Sequence, residues 1–238
     1  MTITSPHNQK LKEIRKLRTR RRERERVGMF VAEGEDLLAA ADAAGWKPIE
    51  RFSAAGSGLP GVEVDPQLLA GASGLASGTR ALAVYQERWS ERPLGPLCVY
   101  LHGVHDPGNV GAILRSALAF GASCVALGPG SADPFSPKAV RASMGAVFAV
   151  TLARARTITD LPGSKLALVA GAGSPLSALP PAATGEITLL IGSERDGLPE
   201  ELVSQADVTV HIPILIHSLN AAMAATVALY EVTRMAAG

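Results

Sequence analysis

Leu11, Ile14 and Leu17 recur at helical spacing near the start of the chain. The stretch Ser5 to Arg26 therefore reads as a helix with a narrow apolar stripe and an arginine-crowded polar face. A short apolar run follows at Met29 to Ala32, then a helical stretch from Glu33 to Ala44. Gly, Ser and Pro punctuate what comes next, with short strands expected near Val62 to Val64 and Ala81 to Tyr85. These pieces make a small α/β unit, residues 1–88. Two prolines and a glycine in WSERPLGPL mark residues 89–96 as a linker.

From residue 97 the pattern changes. Apolar runs of strand length (Leu97 to Leu101, Cys124 to Leu127, Leu166 to Val169, Ile187 to Ile191, Val208 to Ile212) alternate with helical stretches. Runs apolar on both faces belong to strands covered on both sides, so residues 97–238 are expected to fold as an α/β domain with a mostly parallel sheet. No internal repeat is visible.

Composition refines this picture. Hydrophobic residues are 47% and charged residues 19% of the chain, which excludes a disordered protein. Aromatics are only 4%, which argues against open stacking platforms. The net charge of +1 conceals an asymmetry: ten of the 23 Lys and Arg lie before Val27, opposed there only by Glu13, Glu23 and Glu25. That leaves about +7 on the first segment and about −6 on the rest, which points to a polyanionic partner. Lys10, Arg18, Arg20, Arg21, Arg22 and Arg24 are the candidate contacts. Cys98 and Cys124 sit in apolar runs and read as buried thiols, with neither a disulfide framework nor a metal site suggested. With no apolar signal core and no run of membrane-spanning length, a reducing cytoplasm is the expected location.

Three later segments carry candidate chemistry. In HGVHDPGNVGAILRSALAFGA a strand runs into a helix; Gly108 and Gly111 permit a tight turn and the Asn109 amide can cap it. Arg115 is expected about one turn into that helix, whose N-terminus at a strand's carboxyl end favours anionic ligands. In LLIGSERDGLPEELVSQAD a strand ends at Ile191, and Glu194 stands at the turn as a partner for a neighbouring Arg. In VHIPILIHSLNAAMAATVALYEVTR, Pro213 ends a strand, Ser218 can cap the next helix and Asn220 lies just inside it. Each segment alone has a plain structural explanation: a turn, a cap, or an amphipathic helix.

Taken together and in order, DPGNVGAILRSALAFGA, IGSERDGL and the IP…SLN…A…ALYE run resemble the SpoU/TrmH family of RNA 2′-O-ribose methyltransferases. DPFSPKAVRASMGAVF (Asp133 to Phe148) is similar to the same family. SPHNQKLKEIRKL and FVAEGEDLL resemble the substrate-binding domain that often precedes the catalytic one, itself like a ribosomal RNA-binding protein. The resemblance implies a catalytic domain with a deep trefoil knot, an active site completed across a twofold homodimer, and S-adenosylmethionine as cofactor. It points to Leu190, Gly192, Ile212, Pro213 and Leu219 as cofactor contacts, and to Arg115, Asn109, Glu194, Ser218 and Asn220 as the catalytic set. A guanidinium holds its proton throughout the working pH range, so Arg115 is read as orienting the hydroxyl or phosphate and stabilising alkoxide charge rather than as a base. Asn109 would hold the loop, Glu194 would orient Arg115 or the RNA, and Ser218 and Asn220 would shape the site.

One departure stands out. Only Ile214, Leu215, Ile216 and His217 separate IP from SLN, a shorter loop than the family's, with His217 where an acid is usual. Ribosomal RNA is the expected substrate ahead of transfer RNA, and a resistance methyltransferase falls within the same class. The alternative is an RNA-binding homologue with weak or absent cofactor binding. A dinucleotide-dependent enzyme would need a GxGxxG turn that the chain lacks.

Overall fold

The computed structural model describes residues 2–74, 78–178 and 185–236. They fall into two compact units, residues 1–88 with 133–149, and residues 89–132 with 150–238.

In the first unit the basic N-terminal stretch forms two helices, α1 (Gln9–Thr19) and α2 (Arg21–Val27), and not one. Asn8 caps α1 by accepting from the Lys10 amide at 2.9 Å. The helix ends at Arg20, whose backbone is extended. That break lets Arg24 turn inward, where its guanidinium donates to the Leu17 carbonyl at 2.6 Å and pairs with Asp133 at 2.6 Å. Strand β1 (Met29–Glu33) keeps Glu33, which the sequence pattern assigned to the next helix. Its buried carboxylate accepts from the Ser73 hydroxyl and the Gly74 amide and pairs with Arg18. Gly34, at φ 101°, then makes the turn into α3 (Glu35–Ala43).

The remaining elements are β2 (Glu50–Ala54), β3 (Val62–Val64), α4 (Pro66–Ala72) and β4 (Ala81–Gln86). The sheet order is β1-β4-β2-β3, antiparallel except between β2 and β3. Strand β2 has no sequence signal because Glu50 and Arg51 open it and only its last three residues are buried. Segment 133–149 adds Phe135 and Phe148 to a cluster with Phe30, Trp46 and Tyr85, and the Trp46 indole donates to the Phe148 carbonyl at 2.7 Å.

The second unit begins with residues expected as a linker, which instead dock: the Ser90 amide donates to Leu152 at 2.7 Å and Arg154 lies over the Trp89 ring. Strands β5 (Leu97–Leu101), β6 (Cys124–Leu127), β7 (Thr151–Arg154), β8 (Ser164–Leu168), β9 (Ser174–Pro175), β10 (Ile187–Ile191) and β11 (Val208–His211) form one sheet. Its order is β7-β6-β5-β10-β8-β11-β9 and every pairing is parallel. Strands β5, β6 and β10 are buried at every residue, as a sheet covered on both faces requires. Helix α5 (Pro107–Ala119) follows β5, and α9 (Ala221–Ala236) packs against α5, with the Ser116 and Thr226 hydroxyls 2.6 Å apart. Short helices α6 (Pro137–Ala142) and α7 (Ala146–Ala149) belong to the first unit, and α8 (Glu200–Ser204) to the second. Cys98 and Cys124 are register partners on β5 and β6, both buried and free. No described helix is long and apolar enough to cross a membrane.

Removing one partner of a buried ion pair strands the other without solvation. Arg24→Ala is therefore expected to cost about 3–5 kcal/mol, because it leaves the Asp133 carboxylate without its cation. Urea unfolding of the variant against the parent chain measures this; a loss under about 1 kcal/mol would show that the pair holds nothing together.

Candidate functional site

All strands of the second sheet run the same way, so their carboxyl ends share one edge. Between β5 and β10 the strand order switches direction: β6 and β7 lie beyond β5, while β8 and β11 lie beyond β10. A parallel sheet opens a crevice at such a switch point. The first two motif segments leave the sheet there.

The turn after β5 is made by Gly103 (φ 66°) and closed by Asp106, which caps α5 through the Gly108 amide. Gly108 and Gly111 lie inside the helix and make no turn, contrary to the sequence expectation. Asn109, in the first turn of α5, does not cap it either. Its side-chain amide donates to Glu194 Oε1, and its Oδ1 accepts from the Asn220 amide at 3.0 Å. Asn220 in turn accepts from the backbone amides of Ala222 and Met223 at 2.9 and 3.3 Å. Asn220, and not Ser218, is thus the cap of α9. One polar chain runs from the α9 N-terminus through Asn220 and Asn109 to Glu194, joining all three motif segments.

Glu194 sits in a closed turn. Ser193 and Gly197 exchange backbone hydrogen bonds at 3.1 Å, and the Ser193 hydroxyl accepts from the Asp196 amide at 3.0 Å. A Cβ on Gly192 would run into the Gly197 backbone, so only glycine lets this turn fold onto the strand end. The turn walls a cavity of about 410 Å³. Ile191, Leu198, Ile212 and Leu219 supply apolar wall, and Glu194, Arg195, Asp196, His217 and Ser218 supply polar groups. Pro213 lines an adjoining recess that shares Ile212, Ile214 and His217 with it.

The predicted contacts therefore divide. Gly192, Ile212 and Leu219 line the cavity and Pro213 its annex, whereas Leu190 is packed in the core below and Ile191 lines the cavity instead. Arg115 is the ninth residue of α5, about two turns in and not one. It is exposed and its side chain makes no hydrogen bond or ion pair among the described residues; Glu194 bonds to Asn109 and not to Arg115. In the first unit, Arg18 and Arg24 are held by Glu33 and Asp133, and Lys10 pairs with Glu50. Of the basic residues proposed from sequence, Arg20 and Arg22 make no ion pair among the described residues, and Arg21 pairs with exposed Glu25. Among the described residues no group of three or more His, Cys, Asp or Glu is arranged to hold a metal.

Sequence reading missed the pair beneath the site. The Tyr100 hydroxyl lies 3.2 Å from His102 Nδ1 at the end of β5, and the His102 amide donates to Ile191 at 2.9 Å. Burial lowers the His102 pKa, while burial and the nearby Asp160 charge raise that of Tyr100 to about 12. A neutral imidazole and an intact phenol result, joined by one hydrogen bond whose direction follows the histidine tautomer. Alternation in β5 was the available signal: His102 lies two residues beyond Tyr100, on its face.

Residues 96–230 match the model of the SpoU rRNA methylase family, and residues 8–83 match that of an MRM3-like substrate binding domain. The Bacillus subtilis protein named 23S rRNA (guanosine(2553)-2′-O)-methyltransferase RlmP is 26% identical over 96% of this chain and 98% of its own length. A protein of Syntrophobacter fumaroxidans, named ribosomal RNA small subunit methyltransferase G 2, is 43% identical over 58% of the chain, which spans 27% of that longer relative. The crystal structure of an AdoMet-bound rRNA methyltransferase from Sinorhizobium meliloti, 30% identical, superposes with a TM-score of 0.88 over 99% of this chain and 98% of that one.

Two outcomes follow from the geometry. Asn109→Ala leaves Glu194 without its donor and Asn220 without its acceptor, and is expected to destabilise the second unit by about 2 kcal/mol in urea unfolding; an unchanged midpoint would remove the polar chain as a structural tie. Because His102 binds its proton less readily folded than unfolded, its contribution is full above the ordinary histidine pKa of about 6.5 and is lost as pH falls below it. Thermal midpoints between pH 7.5 and pH 5 should therefore fall less steeply in His102→Gln than in the parent; parallel slopes would assign the acid sensitivity elsewhere.

Proposed function

The chain belongs to the SpoU rRNA methylase family, and on that premise we propose that it transfers a methyl group from S-adenosylmethionine to a ribose 2′-hydroxyl of ribosomal RNA, in the cytoplasm. The observation that carries this reading is the polar chain Asn220–Asn109–Glu194 on the rim of the cavity at the sheet's switch point. The cavity suits the cofactor. Its apolar walls fit a purine, and Glu194 and Asp196, set against Arg195, give the lining an acidic balance that favours a cationic ligand. The bound cofactor supplies an electrophilic methyl group on a sulfonium.

The chain's own residues do the rest. Gly192, Ile212 and Leu219, with Pro213 beside them, hold the cofactor; Asn109 fixes the Glu194 turn relative to α5 and α9; Ser218 completes the wall. Arg115, unpaired and exposed, is free to meet the RNA and to stabilise charge on the 2′-oxygen. Its separation from Glu194 fits a site completed only when RNA or a second protomer is present. A homodimer is supported by the apolar face of Leu118, Met223, Val227 and Tyr230 on α5 and α9, between 40% and 63% exposed. The placing of β10 between β5 and β8 supports a knotted path for the C-terminal segment, an exception among folds. In the first unit Arg20, Arg21 and Arg22 would meet RNA phosphates.

Titration calorimetry with S-adenosylmethionine and with its demethylated product tests the cofactor. Saturable binding is expected at millimolar concentration or below. RNA binding without it would turn the reading to an RNA-binding homologue, with the short exposed loop Ile214–Ile216 as the cause. Arg115→Ala is expected to slow methyl transfer by about a hundredfold or more while RNA is still bound; near-normal transfer would take the central role away from Arg115.

A further inference from the structure

The first unit holds a second cavity, of about 390 Å³, that none of these roles uses. It lies between α1, α2 and the start of β2, with an apolar floor of Ile14, Val27, Phe52 and Val84. Ile49 also lines it and is 55% exposed, so apolar surface is left in water. The polar groups at its rim are matched against each other. Lys10 pairs with Glu50, Arg26 pairs with Glu23, and Gln9 donates to Glu13. Charge within the slot therefore nearly cancels.

The border of the slot is different. Lys16, which lines the slot, and Lys12, Arg20 and Arg22, on or between the same two helices, make no side-chain ion pair among the described residues, and Lys16 and Arg20 feel Glu23 only through space. A slot whose own charges nearly cancel, on helices that also carry cations without a direct carboxylate contact, is complementary to one nucleotide unit, whose base is neutral and whose phosphates are not. A free anion would gain nothing from the apolar floor, and an apolar peptide nothing from the cations. Duplex RNA keeps its bases stacked and cannot insert one. Single-strand binders commonly stack bases on exposed aromatics, but Phe30, Trp46, Phe52, Tyr85, Phe135 and Phe148 of this unit are all buried. Insertion beside aliphatic side chains is the route left open.

We infer that this cavity receives one unpaired nucleobase of an RNA strand whose phosphates follow Lys12, Lys16, Arg20 and Arg22. The rim carboxylates Glu13, Glu23 and Glu50 supply acceptors for amino and imino groups on the base edge. This rests on the reading of the chain as an RNA-modifying protein, and it makes the first unit a reader of single-stranded positions rather than of helical shape.

The full chain is titrated, by fluorescence anisotropy, with a single-stranded oligoribonucleotide carrying 2-aminopurine and with a fully paired RNA duplex of the same length. Ile49→Ser removes apolar wall at an exposed position and changes no charge. It is expected to weaken single-strand binding about five- to tenfold, to leave duplex binding and the salt dependence unchanged, and to reduce the 2-aminopurine signal change. The pair Lys12→Ala with Arg22→Ala is expected to weaken both RNAs and flatten the salt dependence. If Ile49→Ser affects both RNAs equally, or neither, the slot is not a base site although the RNA reading stands. If the parent chain binds neither RNA, the RNA reading falls and the slot with it.

Discussion

The side-chain amide of Asn109 ties together three parts of the chain that are far apart in sequence. It gives a hydrogen bond to Glu194 and takes one from Asn220, which itself holds the first amides of α9. An amide, with its donor and acceptor on separate atoms, does both at once. Aspartate would set a second carboxylate against Glu194, and an apolar residue would leave the partly buried Glu194 without its donor and Asn220 without its acceptor. The positions of the β10 turn and of the α9 N-terminus both depend on this link. Since these elements wall the cavity, its shape depends on the link as well.

Strand topology is what makes such a link possible. Parallel strands bring every carboxyl end to one edge, and the direction switch between β5 and β10 sets the turns after them side by side. Gly192 is needed because the Gly197 backbone occupies the space a Cβ would take. Below the edge, the Tyr100 phenol and a neutral His102 share a hydrogen bond, so the strand end is held by a polar pair tuned largely by burial. The site thus depends on neutral amides, a glycine and an uncharged imidazole, with its formal charges turned toward the cavity.

Much of this was legible in the sequence, and the failures have physical causes. The apolar runs located β5, β6, β8, β10 and β11 to within about two residues, because strands covered on both faces advertise themselves. Strand β2 was invisible because ERFSA begins with two charged residues that face solvent in part. The helix break at Arg20 has no local signal, because the contact it allows, Arg24 with Asp133, joins residues 109 apart in sequence. The same blindness put Arg115 with Glu194 by motif order, whereas Glu194 meets the first turn of α5 and Arg115 stands two turns along it. Asn220 was read as inside the helix it in fact caps, since local spacing cannot say whether Ser218 or Asn220 takes the last non-helical position.

Charge counting has a parallel weakness. The excess of cations before Val27 correctly marks an unusual surface, but a count cannot tell a guanidinium facing water from one used in folding. Arg18 and Arg24 are nearly enclosed and spend their charge on Glu33 and Asp133. Pairing of that kind does more than reduce the positive charge; it sorts it. The two inward arginines fix α1 and α2 against the rest of their unit, and what remains outside is a shorter row whose spacing follows the helices. A polyanion would therefore meet cations whose positions are set by the buried ones. The specificity of the surface is in this way a consequence of the folding of its own charges.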